Sequence, residues 1–204
     1  MLYPDLLARV YMTLKSRLKD VPPPPAALRS EGPSDGTGSS SSGDLAPSAG
    51  ARAFAESVAS WPPFSDTVAA LAALSKRYKL VILSNIDRAT IARTRAHMEG
   101  PGAFAFAGVC TAEEVGAYKP APEMLAFVLA RLKDEFGIEQ GEVLVTAQSV
   151  FHDVLPAKAR GIATAWINRA GSITGLPEGM TGDEAMFTFP TLGAMADAVE
   201  KAAT

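Results

Sequence analysis

Three short segments of the sequence carry polar and charged residue types from which an anion-binding site can be built. A hydroxyl and an amide stand side by side at Ser84 and Asn85, a lysine precedes a proline at Lys119, and a carboxylate follows at Asp153. A hydroxyl at a strand-to-helix turn, where backbone N–H groups are free, can hold an anion.

Each of these residues also has a structural interpretation. Ser84, Asn85 and Asp153 are residue types that cap helices, because their oxygen atoms accept hydrogen bonds from the first helical N–H groups. Lys119, taken alone, is typical of a solvated surface lysine. His152 is more typical of a packed or exposed histidine than of a catalytic one. The functional interpretation therefore depends on the ordered set and not on any single residue.

The elements that would position these residues follow from the hydrophobic pattern. Short apolar runs alternate with helical patterns, which is typical of a parallel sheet covered by helices on both faces and predicts an α/β, Rossmann-like fold. Strands are predicted over residues 78–83, 108–111, 142–146 and 162–167, and helices over residues 66–76, 89–98, 122–134, 154–160 and 192–203. Because such sheets bind ligands beyond the carboxyl ends of their strands, the three segments are expected to meet there.

The N-terminal part of the chain has a different texture. Residues 2–18 have the apolar spacing of an amphipathic helix, whereas residues 22–50 are dominated by Pro, Ser, Gly and Ala. That composition predicts a disordered insertion or linker, because it buries too little apolar surface to offset the entropy of ordering.

Composition excludes several classes of protein. The net charge of −3 gives no general attraction to nucleic acid or to an anionic membrane, and the single cysteine, Cys110, allows neither an intrachain disulfide nor a zinc site built from thiolates. Cys110 lies on a short apolar run and is expected to be buried. No signal peptide or membrane-length apolar run is evident, so a cytoplasmic location is predicted. A small anionic molecule is the expected substrate, and a homodimer remains possible.

The motifs resemble those of the haloacid dehalogenase superfamily. The segments 83–85, 116–120 and 149–153 are similar to its second, third and fourth motifs, in the right order. The flanking segments 61–64, 111–116 and 166–169 resemble the 2-haloacid dehalogenase branch. This resemblance implies that residues 1–60 form a partial helical cap, with the insert at about 22–50, and that residues 61–204 form the α/β core.

The resemblance also implies roles for individual residues. Ser84 and the Asn85 backbone would bind the carboxylate or phosphate of the substrate, with Tyr118 nearby. Lys119 would steady the nucleophile, and Asp153, together with Ser149 in the same motif, would complete the catalytic group by orienting Lys119 or the hydrolytic water. In a phosphatase of the superfamily, Asp153 would instead ligate magnesium.

One motif of the family has no counterpart. In this family an aspartate on the first, central strand attacks the substrate and forms an ester. In this sequence no acid before Ser84 follows an apolar strand. The nearest acid, Asp66, is interpreted as part of a helix start. We therefore expect the chain to begin inside the cap, the sheet to have a gap at its centre with unpaired backbone groups on both sides, and the chain to be inactive alone.

The reaction type is predicted from the fourth motif. Superfamily phosphatases place two acids there to hold magnesium, whereas this sequence has Ser149 four residues before Asp153. This favours a metal-independent (S)-2-haloacid dehalogenase, with no cofactor, in the intact parent enzyme. The alternatives are a magnesium-dependent small-molecule phosphatase, a non-catalytic protein that binds a small anion, and an incomplete gene sequence of an ordinary enzyme.

Overall fold

The structure is a computed structural model that describes residues 48–99, 104–170, 179–180 and 184–203, together with residues 5, 7–10 and 12. The chain divides into two compact units, Met1–Trp61 and Pro62–Thr204. The interpretation of residues 1–60 as a partial cap and of residues 61–204 as a catalytic core stays a prediction.

The first unit is helical where it is described. Residues 5, 7–10 and 12 are helical, in agreement with the predicted helix, whose other residues lie outside the described part. Helix α1 spans Ala49–Ser57 and is followed by a 3₁₀ turn at Val58–Ser60. Most of the Pro- and Ser-rich tract, residues 22–47, also lies outside the described residues. Its predicted end at residue 50 is wrong, because Ser48 caps α1 by accepting from the Ala51 N–H at 3.2 Å and alanine favours the helix.

The second unit alternates strands and helices and confirms the α/β class. Its elements, in chain order, are α2 (Thr67–Leu74), β1 (Val81–Ser84), α3 (Arg88–Ala96), β2 (Gly108–Thr111), α4 (Ala112–Val115), α5 (Pro122–Phe136), β3 (Leu144–Ala147), a π-helical turn (Val150–Val154), α6 (Leu155–Ala159), β4 (Ala163–Ile167), β5 (Phe187–Phe189) and α7 (Leu192–Ala202). No helix in the described parts of the chain has the length and apolar character needed to cross a membrane.

In the described part of the chain, the strands form two parallel sheets. In the first, β1 pairs with β2, with Leu83 opposite Cys110 and Ser84 opposite Thr111. In the second, β4 lies between β3 and β5. Within the described residues, no strand connects β1 to β3. This arrangement agrees with an interrupted sheet, whereas the identity of the strand that would fill the interruption stays a prediction.

One hydrophobic cluster joins the two sheets. Residues Leu125, Val128 and Leu132 of α5 pack with Cys110 of β2, and side chains of both β1 and β3 pack against the same group. Cys110 is fully buried, as predicted. A second cluster packs α2 and α7 on β4, and a third surrounds Trp166 of β4 and Val150 and Val154 of the π-helical turn. The two sheets therefore share helical support although they do not pair.

Asp66 is the N-cap residue of α2, in agreement with its interpretation as part of the helix start, and its carbonyl accepts from the Ala70 N–H at 3.0 Å. Its side chain does not cap the helix but has other partners. Its carboxylate forms a two-pronged ion pair with Arg169, at 2.9 and 3.0 Å, and accepts from the Gly193 N–H at 3.0 Å. The Arg169 guanidinium also lies 4.2 Å from the centre of the Phe64 ring. We call Asp66, Arg169 and the Gly193 N–H the Asp66 clasp; it ties the starts of α2 and α7 to the end of β4.

Candidate active site

Three of the predicted residues, Asn85, Lys119 and Asp153, meet at the carboxyl ends of the strands. Ser84 is the last residue of β1, Asn85 follows it, and Ser149 and Asp153 follow β3. Lys119 lies in the turn between α4 and α5. Parallel strands place their carboxyl ends at one edge of a sheet, which is why residues far apart in sequence meet here.

The central contact of the site is an ion pair. The Lys119 Nζ donates to Asp153 Oδ1 at 2.7 Å, and the side chains are only 14% and 12% exposed, respectively. The same ammonium donates to the Leu83 carbonyl at 3.0 Å. Lys119 is therefore not a solvated surface lysine. Among the described residues, Asp153 is the one carboxylate within 4.0 Å of its Nζ.

Asn85 fixes the backbone of Lys119. Its Oδ1 accepts from the Lys119 N–H at 2.6 Å, and its Nδ2 donates to the Lys119 carbonyl at 3.1 Å. The peptide bond from Lys119 to Pro120 is cis. Because its side-chain oxygen and nitrogen both bond to the Lys119 backbone, Asn85 positions the lysine. The backbone of Asn85 stays available for the predicted contact with a substrate.

Ser149 begins the π-helical turn that carries Asp153. Its Oγ accepts from the His152 N–H at 3.2 Å and lies 2.9 Å from His152 Nδ1. Ser149, and not Asp153, is therefore the cap of this turn, and the Asp153 carboxylate points to Lys119. The His152 ring is exposed and packs edge-on against Phe151. The remaining two predicted residues, Ser84 and Tyr118, are half-buried. In the sequence they directly precede Asn85 and Lys119, respectively.

Two acids were given no functional role from the sequence: Asp87 was not considered, and Glu113 was interpreted as one of a solvated pair with Glu114. Asp87 caps α3 by accepting from the Thr90 N–H at 2.8 Å, and its other oxygen, Oδ2, is buried without a hydrogen-bond partner in the described structure. The Arg88 N–H, also at the start of α3, donates to Glu113 Oε2 at 2.7 Å. An Asp directly before a helical pattern was the available signal for the cap, whereas nothing local indicated the contact with Glu113.

The described residues do not provide an evident magnesium site. They contain no group of three or more His, Cys, Asp or Glu side chains arranged to hold a metal ion. The acid of the fourth motif, Asp153, is already paired with a lysine, and Ser149 stands where a second acid would be needed. The residues present therefore do not fit a magnesium ion held by two carboxylates.

Comparison with known proteins decides the family. The family model of haloacid dehalogenase-like hydrolases matches residues 38–161, more than half of the chain. The chain belongs to this family. Comparison with curated proteins gives no significant match.

Solved structures of haloacid dehalogenase-like proteins share the fold. The L-2-haloacid dehalogenase RSc1362 has a TM-score of 0.68 at 18% identity, over 98% of this chain and 73% of that one. The L-2-haloacid dehalogenase PA0810 gives 0.66 at 20% identity, over 98% and 74%. The L-2-haloacid dehalogenase of Xanthobacter autotrophicus, with chloropropionic acid covalently bound, gives 0.61 at 22% identity, over 76% and 69%. At these identities the likeness establishes the fold and not the reaction.

Proposed function

We propose that this chain carries the lysine–aspartate site of a 2-haloacid dehalogenase, which converts an (S)-2-haloacid and water to a 2-hydroxyacid and halide. The observation that supports the proposal is the buried Lys119–Asp153 ion pair at the carboxyl ends of the strands, with Asn85 fixing the lysine backbone. Family membership establishes a hydrolase scaffold, and the solved dehalogenases have the same fold.

The proposed reaction has two steps. A carboxylate attacks C2 of the haloacid, a carbon–oxygen bond forms, and the halide leaves with the electron pair of the carbon–halogen bond. Water then adds to the carbonyl of the resulting ester, which releases the 2-hydroxyacid and regenerates the carboxylate. Ser84 and the Asn85 N–H hold the carboxylate of the substrate, with Tyr118 beside them, and Lys119 stabilises the attacking carboxylate.

The attacking carboxylate is not among the described residues. Asp153 faces Lys119 at 2.7 Å and already uses the ammonium as its partner, so its role is to orient Lys119 or the hydrolytic water, within the turn capped by Ser149. A second carboxylate is required, and none lies within 4.0 Å of the lysine in the described part of the chain. We propose that the 204-residue chain alone shows no turnover, because no acid before Ser84 follows an apolar strand in the sequence.

The first experiment is the intact mass of the protein isolated from its own cells, compared with 21.3 kDa for this sequence. Chloride release from (S)-2-chloropropanoate and phosphate release from p-nitrophenyl phosphate are then assayed, each with and without EDTA. A heavier protein that releases chloride in EDTA supports the proposal, and its Lys119→Met variant is expected to lose the activity. Phosphate release that requires magnesium, without chloride release, would contradict it.

A non-catalytic role is the second candidate, supported by the lack of a second carboxylate near Lys119 in the described residues. In that case the protein from cells has a mass of 21.3 kDa, turns over neither substrate, and binds a small carboxylate such as lactate. Calorimetric titration of lactate into the chain and into Lys119→Met tests this alternative, because only binding that depends on the ammonium supports it.

A further inference from the structure

A groove in the second unit is distinct from the candidate active site. Its volume is about 400 Å³, which lies within the range of about 300–1,000 Å³ that is usual for small-molecule sites in proteins. Lys119, Asp153 and Ser84 do not line it, although Pro120, which does, directly follows Lys119 in the sequence. A ligand in this groove is therefore independent of the proposed reaction.

Two segments of the chain form the apolar walls of the groove. Phe151, Leu155 and Ala159 recur every four residues, a spacing that places side chains on one face of a helical segment. The second wall comes from the turn before α5 and its first residues, through Pro120, Pro122 and Leu125. Because proline rings fix the backbone angle φ, this wall is expected to keep its shape without a ligand.

Much of the apolar lining is exposed to solvent. Phe151 is 52% exposed, and Pro120, Pro122 and Ala159 are exposed as well. Single exposed apolar residues are common on protein surfaces, whereas neighbouring ones that line a concave surface are typical of a binding site. The lining therefore favours a ligand with a hydrocarbon portion.

Arg160 contributes the one charged side chain of the lining. Its Nη2 donates to the Pro122 carbonyl at 3.2 Å, which attaches the guanidinium to the start of α5. In the described part of the chain, no Asp or Glu side chain, including that of the neighbouring Glu123, forms an ion pair with it. A guanidinium has five N–H donors and binds carboxylates in a two-pronged geometry. Arg160 can therefore bind a carboxylate from outside the chain.

We propose that the groove binds a small carboxylate with an unbranched apolar chain of about six to eight carbons. The chain lies on the apolar walls, and the carboxylate pairs with Arg160, whose positive charge selects an acid over an amine or an alcohol. Phe151 and Arg160 are nine residues apart on the segment formed by the π-helical turn and α6. Roughly 13 Å therefore separate the apolar end from the basic end, which suits a chain of this length.

Titration of the 204-residue chain with sodium octanoate, followed by NMR of the backbone amides, tests the proposal. The amides of Leu125, Phe151, Ala159 and Arg160 are expected to shift and to saturate with one Kd, whereas those of α7 are expected to stay unchanged. 1-Octanol and octylammonium are expected to bind at least about threefold more weakly, because they cannot form the ion pair. Butanoate is expected to bind at least about tenfold more weakly, because its chain covers less of the apolar lining.

Substitutions on the surface of the groove provide the matched comparison. Ala159→Glu places a carboxylate against the bound chain and is expected to weaken octanoate binding at least about tenfold. Ala198→Glu makes the same change at an exposed alanine of α7, away from the groove, and is expected to alter the Kd by less than about twofold. Arg160→Gln should remove the preference for octanoate over octanol, and it replaces Ala159→Glu if that variant does not fold.

Several results would overturn the proposal. They are the lack of saturable shifts at the groove, equal affinity for octanol and octanoate, and equal Kd values in Ala159→Glu and Ala198→Glu. Tighter binding of an apolar tripeptide with a free carboxyl end would identify a peptide as the occupant. A dimer that octanoate dissociates, measured by sedimentation, would identify a second copy of the chain. Either of the last two results would exclude a small carboxylate as the ligand for which the groove is built.

Discussion

The Lys119–Asp153 pair is the residue-scale feature on which the site depends. Breaking a mostly buried pair by removing one partner typically costs about 3–5 kcal/mol, because the other charge is left without compensation. We therefore expect Lys119→Met to lower the free energy of unfolding by about that amount. Urea unfolding at pH 7 measures the change.

The matched control is the double variant Lys119→Met with Asp153→Asn, in which neither charge remains. It is expected to be clearly more stable than Lys119→Met alone. A double variant as unstable as the sum of the two single variants would show that the side chains do not interact, contrary to the 2.7 Å contact.

The Asp66 clasp predicts a dependence of stability on acid pH. Hydrogen bonds from Arg169 and the Gly193 N–H lower the pKa of Asp66 from 3.8 to about 2, although burial acts in the opposite direction. A carboxyl whose pKa is lower in the folded state stabilises the fold above its unfolded pKa, and that contribution is lost as the pH falls from about 4 to 2. Allowing for partial exposure, it amounts to about 1–2 kcal/mol.

Asp66→Asn tests this prediction. The variant is expected to be less stable than the wild type at pH 7 and to approach it near pH 2, as measured by urea midpoints across that range. A constant difference at every pH would exclude ionisation of Asp66 as the cause.

Residue-scale prediction from the sequence succeeded where the fold itself brings side chains together. Lys119 and Asp153 were expected at one sheet edge because parallel strands end there, and the structure places their side chains in contact, whereas their catalytic roles stay a prediction. The engagement of Asn85 with the Lys119 backbone and of Asp66 with Arg169 was not predicted. These partners lie 34 and 103 residues apart, and no local pattern records such a distant contact.

At the scale of elements, the end of α5 provides a test of backbone conformation. Gly137 has φ +68° just after α5, and its N–H and that of Ile138 bond back to the Lys133 and Leu132 carbonyls. A left-handed conformation costs a residue with a Cβ about 1–2 kcal/mol. Gly137→Ala is expected to lower the free energy of unfolding by about 1 kcal/mol, measured with urea.

Gly141 is the matched control for that substitution. It lies in an exposed 3₁₀ turn without a positive φ, and a Cβ built there meets no atom within 4 Å. Gly141→Ala is expected to change stability by no more than about 0.5 kcal/mol. Equal losses at both glycines would contradict the conformational explanation.

Most elements were predictable from periodicity, and the exceptions have physical causes. Strand β3 begins at Leu144 and not at residue 142, because Glu139 and Glu142 form a reciprocal cap on the turn that precedes it. Strand β5, Phe187–Phe189, was missed because three residues are too few to show alternation. Helix α1 was missed because it directly follows a tract of disorder-promoting composition.

At the scale of the whole molecule, the second unit has its own hydrophobic core. The clusters around α5, around α7 and around Trp166 contain only residues after position 69, whereas the cluster of Ala8, Ala51 and Ala55 belongs to the first unit. We therefore expect a chain of residues 62–204 to fold without the first unit. Circular dichroism and a cooperative urea transition with a midpoint close to that of the full chain would support this; a non-cooperative transition would contradict it.

The burial of Cys110 has a practical consequence for measurements of how the β1–β2 sheet opens. It is the one cysteine of the sequence, it is fully buried on β2, and its surroundings raise its pKa through loss of hydration. A thiol reagent can reach it only when the β1–β2 sheet separates from α5, so the labelling rate counts opening events of that sheet without any engineered probe. A change that strengthens the packing of β1 and β2 on α5 should therefore slow the labelling, whereas a ligand bound at a distant surface should leave the labelling rate unchanged.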